Sequence, residues 1–266
     1  MDLDAYLARI GWSGPVALEA ETLAALAAHH GRAIAYENLN PFLGLPVELD
    51  IGTLERKMVR GRRGGYCFEQ NALFAAALRD IGFVVTGLGA RVLWGRPETP
   101  LGPRSHMVLM VDLDGEPRIV DAGFGSTTPT GALRLIPEIE QQTTLEPFRL
   151  VERQGDWQVE AKIAGDWEPL YRFDLVPQLP ADYAVANYFT ATHPTSIFVK
   201  YLTLARPLDD RRYVLRNRDF AIHHRDGTTE RRRLDSVAEI VDALETKFDL
   251  DTAGLPRLEQ RLATLP

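Results

Sequence analysis

Cysteine is the scarcest residue in this chain: Cys67 is the single one in 266 residues. An intramolecular disulfide and a cysteine-rich zinc site are therefore both excluded. A chain of this length buries roughly 70–75% of its surface, so it needs neither to fold, and the scarcity fits a reducing compartment. Apolar runs long enough to span a membrane are missing as well. The opening stretch "MDLDAYLARIGW" carries two aspartates where a secretory leader carries positive charge. The expected location is the cytoplasm. Positive charge is in deficit: 30 Lys and Arg stand against 37 Asp and Glu, for a net charge of -7. That balance argues against nucleic acid or an anionic membrane as a general partner. There is no internal repeat, no low-complexity linker and no GxxxxGK[ST] phosphate loop, and nothing signals an oligomeric state.

What is present changes character along the chain. Residues 1–86 read as helical. "EAETLAALAAHHG" is rich in Ala, Leu and Glu, with Gly31 as the expected stop. In "DIGTLERKMVRG", Ile51, Leu54 and Met58 share a helical face, and in "CFEQNALFAAALRDIG", Phe74, Leu78 and Ile81 share one that ends at Gly82. Beyond residue 86 the pattern is β. "VVTGLGARVLW" and "HMVLMVDLDGEPRIVDAGFG" predict strands with a turn at Asp114-Gly115. "FRLVERQGDWQVEAKIAGDWEPLYRFDL" predicts a meander turning at Gln154-Gly155-Asp156 and Gly165-Asp166. Strands at this spacing imply an antiparallel sheet or barrel. From about residue 190 the chain is mixed, with a hairpin about Asp226-Gly227. Its strongest helix is "DSVAEIVDALETKF", where Ser236 and Glu239 form a capping-box pattern.

A lone cysteine is more often a small buried hydrophobe than a nucleophile. Cys67 stands apart because it opens a predicted helix, where free N–H groups and the macrodipole favour an anion. Gly64 and Gly65 allow a sharp backbone turn that leaves the sulfur approachable. Arg60, Arg62 and Arg63 lie just upstream, placed for structural ion pairs or for tuning the thiol. A nucleophilic cysteine needs a base and an orienting group. Among six histidines, His29 and His30 lie on a helix, His223 and His224 flank a charged turn and are expected to be solvated, and His193 lies in a loop. His106 is different, because it opens the apolar strand "HMVLMV". A two-residue turn at Asp114-Gly115 pairs Val108 with Asp121. His106 and Asp121 then become diagonal neighbours on one face. Cys67, His106 and Asp121 are the candidate nucleophile, base and orienter, set against the plainer reading of a core histidine and a strand-end carboxylate. The backbone N–H of Cys67 is a candidate oxyanion donor.

"RGGYCFEQN", "HMVLMV" and "DAGFG", with 39 and 15 residues separating the three candidates, resemble the arylamine N-acetyltransferases. "AYENLNPFLG" and "YFTATHPTSIF" extend the resemblance, which thins after about residue 200. It implies an α+β fold in three parts: a helical bundle over 1–86 carrying the nucleophile, an antiparallel β-barrel over 87–190 carrying His and Asp, and an α/β lid over 191–266. It also implies a cysteine-protease-like Cys-His-Asp core. The implied chemistry is ping-pong acetyl transfer from acetyl-CoA, through Cys67, to an arylamine, arylhydrazine or arylhydroxylamine, with no metal. Tyr36, Phe124, Tyr188 and Phe189 are the implied acceptor walls; Gly123, Gly125, Ser126 and Thr127 are the implied CoA contacts, through N–H groups of the "GFG" turn. Glu69 is expected to point away from the sulfur and pair with an arginine. Alternatives are an amide synthase or another acyltransferase of the same family with a different acyl donor, a papain- or transglutaminase-type hydrolase, and a non-enzymatic protein.

Overall fold

The computed structural model describes residues 1–95 and 101–266. The N-terminal stretch is helical: α1 (Leu3–Arg9), α2 (Ala20–Ala33), α3 (Leu39–Leu43), α4 (Ile51–Leu54) and α5 (Cys67–Ile81), with a two-residue strand β1 (Tyr36–Glu37) after α2. Two expectations are corrected here. Gly31 does not stop α2, which runs through it to Ala33. A side chain at Gly31 would press on the Pro207 ring, so the glycine serves close packing rather than a left-handed cap. Residues 51–60 are not one regular α-helix either. After Leu54 the chain widens into a π-helical turn over Glu55–Arg60, with Leu54 and Met58 still fully buried. Helix α5 follows the sequence reading. It ends at Gly82, in the left-handed region at φ 116°, where a glycine carries no Cβ penalty.

The second layer is a sheet of β2 (Val84–Val92), β3 (Arg104–Leu113), β4 (Glu116–Val120), β5 (Leu133–Arg134), β6 (Phe148–Arg153), β7 (Asp156–Ile163) and β8 (Asp166–Pro177). Its antiparallel order is β5-β4-β3-β2-β8-β7-β6. The segment after β5 bridges to β6 through Pro137–Leu150 and Gln141–Phe148, so the sheet curls into a nearly closed barrel. Positive φ at Asp114-Gly115, Gln154-Gly155 and Ala164-Gly165 makes tight hairpin turns. The last lies one residue before the expected Gly165-Asp166, because Asp166 already belongs to β8.

Strand β3 divides two cores. Met107, Leu109 and Val111 face the helices with Phe68, Phe74 and Leu78. Val108 faces the barrel interior with Leu88, Phe148, Val159 and Tyr171. Burying each such large apolar side chain stabilises the fold by about 1.5–3 kcal/mol. Beyond β8 come α6 (Pro180–Thr192) and α7 (Ile197–Lys200). The strands β9 (Thr203–Pro207), β10 (Arg211–Arg216), β11 (Asp219–His224) and β12 (Thr229–Arg233) follow, then α8 (Val237–Thr246) and α9 (Leu258–Ala263). These strands form a second sheet whose order, β1-β9-β10-β11-β12, takes β1 from the N-terminal region. Its core gathers Leu204, Leu215, Phe220, Ile240, Leu244 and Phe248. The capping box of α8 forms between Ser236 and Glu239. Among the described residues, no helix is long and apolar enough to cross a membrane.

Candidate active site

Cys67 is the first residue of α5 and is buried. Its sulfur lies 3.6 Å from the Ser105 carbonyl oxygen, so the start of β3 runs beside it. The hairpin register matches the sequence reading: Leu109 pairs with Val120 and Met110 with Ile119, which sets Val108 opposite Asp121. His106, one alternation before Val108, donates from Nε2 to Asp121 Oδ2 at 2.6 Å. It is thus satisfied by a carboxylate rather than by backbone. Nδ1 is left as the ring nitrogen for the thiol. Burial opposes a charge on His106, but the Asp121 carboxylate and then the Cys67 sulfur outweigh it and raise its pKa to about 10.

"FEQN" explains itself once folded. Asn71 Nδ2 donates to Asp121 Oδ1 at 2.9 Å and to the Met107 carbonyl at 2.7 Å, while its Oδ1 accepts from Ala122 N–H at 3.0 Å. Four residues along the helix from Cys67, it ties the carboxylate, β3 and the "DAGFG" turn to α5 with one side chain. Asp121 Oδ1 also accepts from Gly123 N–H at 2.8 Å. Gln70 donates to the Ile34 and Ala35 carbonyls and accepts from His30 Nε2 at 2.7 Å. The remaining His30 nitrogen lies 2.7 Å from the Tyr6 hydroxyl. Burial holds His30 down to about 4, against the pull of Gln70. Glu69 turns back to accept from Tyr66 N–H at 3.1 Å. Its partner is a lysine, Lys57 at 2.7 Å, not the expected arginine. Burial raises its pKa against Lys57, whereas in neighbouring Glu37 the Arg63 and Lys57 charges overcome burial and lower it.

The upstream arginines make structural ion pairs: Arg60 with Asp2, Arg62 with Asp249 and Arg63 with Glu37. The paired glycines act differently from expectation. Neither has positive φ. A Cβ at Gly64 would collide with the Ala35 carbonyl, and one at Gly65 would stand 2.7 Å from Glu69 Cβ. They let β1 and the Glu69 cap close on the helix start. Gly123 plays the matching part opposite, since a Cβ there would lie 2.8 Å from Cys67 Cα.

Aromatic rings surround the site. The half-buried Phe124 ring lies edge-on to His106 at 5.2 Å and 5.0 Å from Tyr171, and Tyr171 lies 4.9 Å from His106. Tyr36 covers Gly125, whose φ is +89°. Burial, then the neighbouring Cys67 and Asp121, raise the Tyr36 phenol's pKa far above its ordinary range. Tyr188 and Phe189 are not brought to Cys67, His106 and Asp121. They point outward on α6, 71% and 45% exposed, and Phe189 stacks on His193. Their neighbour Asn187 faces inward and accepts from the Tyr66 hydroxyl. The inward ring is Phe198, 5.5 Å from Tyr66 and 6.5 Å from Tyr36. Phe198 closes the same "YFTATHPTSIF" stretch, but a helix break at His193-Pro194 lies between, so spacing from the exposed pair does not point to it. Tyr171 and Asn71 were also missed.

A cavity of about 440 Å³ opens where the two sheets meet. Ser126 and Thr127 line one side, Lys162 the end of β7, and His223, Arg225 and Arg231 the β11–β12 hairpin. His223 and His224 are thus partly buried rather than solvated. Buried Arg212 donates to the Ser126 carbonyl and to Glu146, and its Nε has no partner among the described residues. Cations outnumber the acids Glu146 and Asp226 around this space. Gly123 and Gly125 face Cys67 and Tyr36 instead. The N–H groups of Gly123 and Phe124 are already bonded to Asp121 and Thr128, so those two are not free for phosphate.

The N-acetyltransferase family profile matches residues 19–255. The arylamine N-acetyltransferase of Mycolicibacterium smegmatis is 43% identical over 259 residues, covering 96% of this chain and 94% of that protein. That of Escherichia coli is 38% identical over 249 residues, covering 93% and 88%. The Mycobacterium marinum arylamine N-acetyltransferase, solved in complex with CoA, superposes with a TM-score of 0.96 at 40% identity over 99% of each chain. The chain belongs to the arylamine N-acetyltransferase family and is an acetyltransferase.

Proposed function

We propose that the chain moves an acetyl group from acetyl-CoA to an arylamine, arylhydrazine or arylhydroxylamine through a thioester on Cys67, with His106 as base and Asp121 as its orienter. The observation that carries this reading is the buried 2.6 Å His106–Asp121 bond beside a cysteine at the first position of a helix. His106 is cationic at neutral pH, paired with Asp121, and faces the Cys67 sulfur; the nucleophile in this reading is the thiolate form of Cys67. The thiolate attacks the acetyl carbonyl, and the Cys67 N–H faces the developing oxyanion. The C–S bond to CoA breaks, and His106 returns its proton to the departing CoA sulfur. Acetylation removes the sulfur's charge, one of the causes that raise His106, so the imidazole becomes easier to keep neutral. It then takes the proton from the incoming amine nitrogen as the thioester C–S bond breaks.

The cavity between the sheets fits the donor. CoA is a polyanion, and Lys162, Arg212, Arg225 and Arg231 supply the positive lining that an acidic chain otherwise lacks. Tyr36, Phe124 and Phe198 make the flat aromatic surround that a weakly basic arylamine requires. Incubation with acetyl-CoA and no amine is expected to leave one acetyl group on Cys67 by intact mass, and Cys67→Ala to abolish both this adduct and transfer. Acetylation confined to lysines, or an active Cys67→Ala protein, would refute the assignment.

A further inference from the structure

Asn38 lies two residues after Tyr36, and its side chain is fully buried, yet it touches none of the reacting groups described above. Its amide is bonded entirely to one distant segment. Nδ2 donates to the Phe198 carbonyl at 2.8 Å and to the Tyr201 carbonyl at 2.7 Å, and Oδ1 accepts from Thr203 N–H at 2.7 Å. That segment is α7 and the start of β9. Helix α7 has four residues and buries none of them. So short a helix cannot hold its own place by packing, and its last carbonyls have no partner within the helix. Asn38 supplies partners at its C-terminal end. At the other end Ser196 Oγ donates to the Thr190 carbonyl and accepts from Phe198 N–H. The residue fixed between these anchors is Phe198, whose ring faces Tyr36 and Tyr66.

One short stretch, 36–38, therefore supplies an aromatic wall and also the clamp that places the opposing wall. We propose that Asn38 is a positioning residue that sets the width of the acceptor slot between Tyr36 and Phe198, and so determines which aromatic acceptors fit. This rests on the acetyl-transfer reading above. Asn38 acts on the second half-reaction alone, because formation of the acetyl thioester does not require the acceptor slot.

Asn38→Asp tests this. It keeps the acceptor for Thr203 but turns a carboxylate towards the Phe198 and Tyr201 carbonyls, replacing two hydrogen bonds with repulsion. The expected result is a KM for a single-ring amine raised roughly tenfold, with a different change for a fused two-ring amine. The rate of acetyl-Cys67 formation from acetyl-CoA should stay within about twofold of the parent. Phe198→Ala, at a half-buried position, should produce a similar shift in acceptor preference. Combined with Asn38→Asp it should add little further shift, since both changes act through one ring. Equal losses for both amines, an equal fall in thioester formation, or unaltered acceptor preference in Phe198→Ala would each overturn the proposal. Failure of the parent protein to form acetyl-Cys67 would overturn the acetyl-transfer reading itself, and this inference with it.

Discussion

Two histidines, His30 and His106, are both buried and both hydrogen bonded, yet they lie on opposite sides of neutrality. His30 is held down to about 4 and His106 is raised to about 10. Burial acts on each in the same direction, against the charged ring. The partners differ. Gln70 offers His30 a neutral carbonyl, and its amide nitrogen is committed to the Ile34 and Ala35 carbonyls, which fixes the amide's orientation. His30 Nε2 must then donate and Nδ1 must accept from Tyr6, an arrangement complete only for the neutral ring. Asp121 offers His106 a carboxylate that Asn71 and Gly123 hold in place from its other oxygen. Both Gln70 and Asn71 are side chains of α5, adjacent in sequence, so one helical turn fixes a neutral histidine on one flank and a charged one on the other. Burial alone does not decide the state: a neutral partner leaves its effect on His30 standing, and a carboxylate overturns it on His106.

Replacing that group is the strongest way to break the contrast. Asp121→Asn removes the carboxylate and leaves a neutral amide, as in the His30 setting. His106 should fall below its ordinary pKa, which ring-proton NMR titration reads directly. Acetyl transfer should drop by about 10³–10⁴-fold, since an amide also favours the wrong ring tautomer. A variant with near-normal turnover would show that His106 does not depend on Asp121.

The same contrast puts the two groups on opposite limbs of the stability profile. His30 has a folded pKa below its unfolded value of 6.5. Between pH 6.5 and about 4 the unfolded chain binds the extra proton, so this stability is fully present above 6.5 and is lost as pH falls towards 4. His106 has a raised folded pKa, so its contribution is fully present below 6.5 and is lost as pH rises through about 10. Urea unfolding of the parent protein against His30→Gln should therefore show the parent's relative stability shrinking by about 3 kcal/mol from pH 7 to pH 4. A stability difference independent of pH over that range would mean that His30 titrates normally in the folded state.

How much of this was legible beforehand follows from the range of each interaction. The His106–Asp121 pairing was readable because a two-residue turn fixes strand register and register fixes the face of every side chain. Cys67 at a helix start was readable from local composition. The roles of Gly64, Gly65 and Gly123 were not, because each answers to a backbone or side chain from another part of the fold. For the same reason Asn71 looked like an ordinary helical residue until β3 and the "DAGFG" turn closed over it. The pairing of Glu69 with a lysine depended on the π-helical turn, which swings Lys57 under α5. Tyr188 and Phe189 were implied as walls by the family resemblance, but helix phase turns them outward and leaves Asn187 facing in.

A third histidine tests the contrast at its weakest. His223, half-buried at the cavity between the sheets, is lowered first by burial and then by Arg231 and Arg212, with Glu146 pulling the other way. Its Nδ1 lies 3.0 Å from the neutral Thr229 hydroxyl, so the positive charge adds to burial in lowering it, and a bound polyanion should reverse that part of the shift. If the cavity takes CoA, adding it should raise the His223 pKa by a fraction of a unit, because a half-buried site is still screened by solvent. Arg231→Gln should raise it in the free protein and shrink the response to CoA. High salt should shrink the response as well. His30 provides an internal control in the same NMR titration: enclosed by Tyr6, Gln70 and Phe74, it should not move. CoA binding that leaves His223 unchanged would place the donor's phosphates elsewhere, and the positive lining of this cavity would then need another explanation.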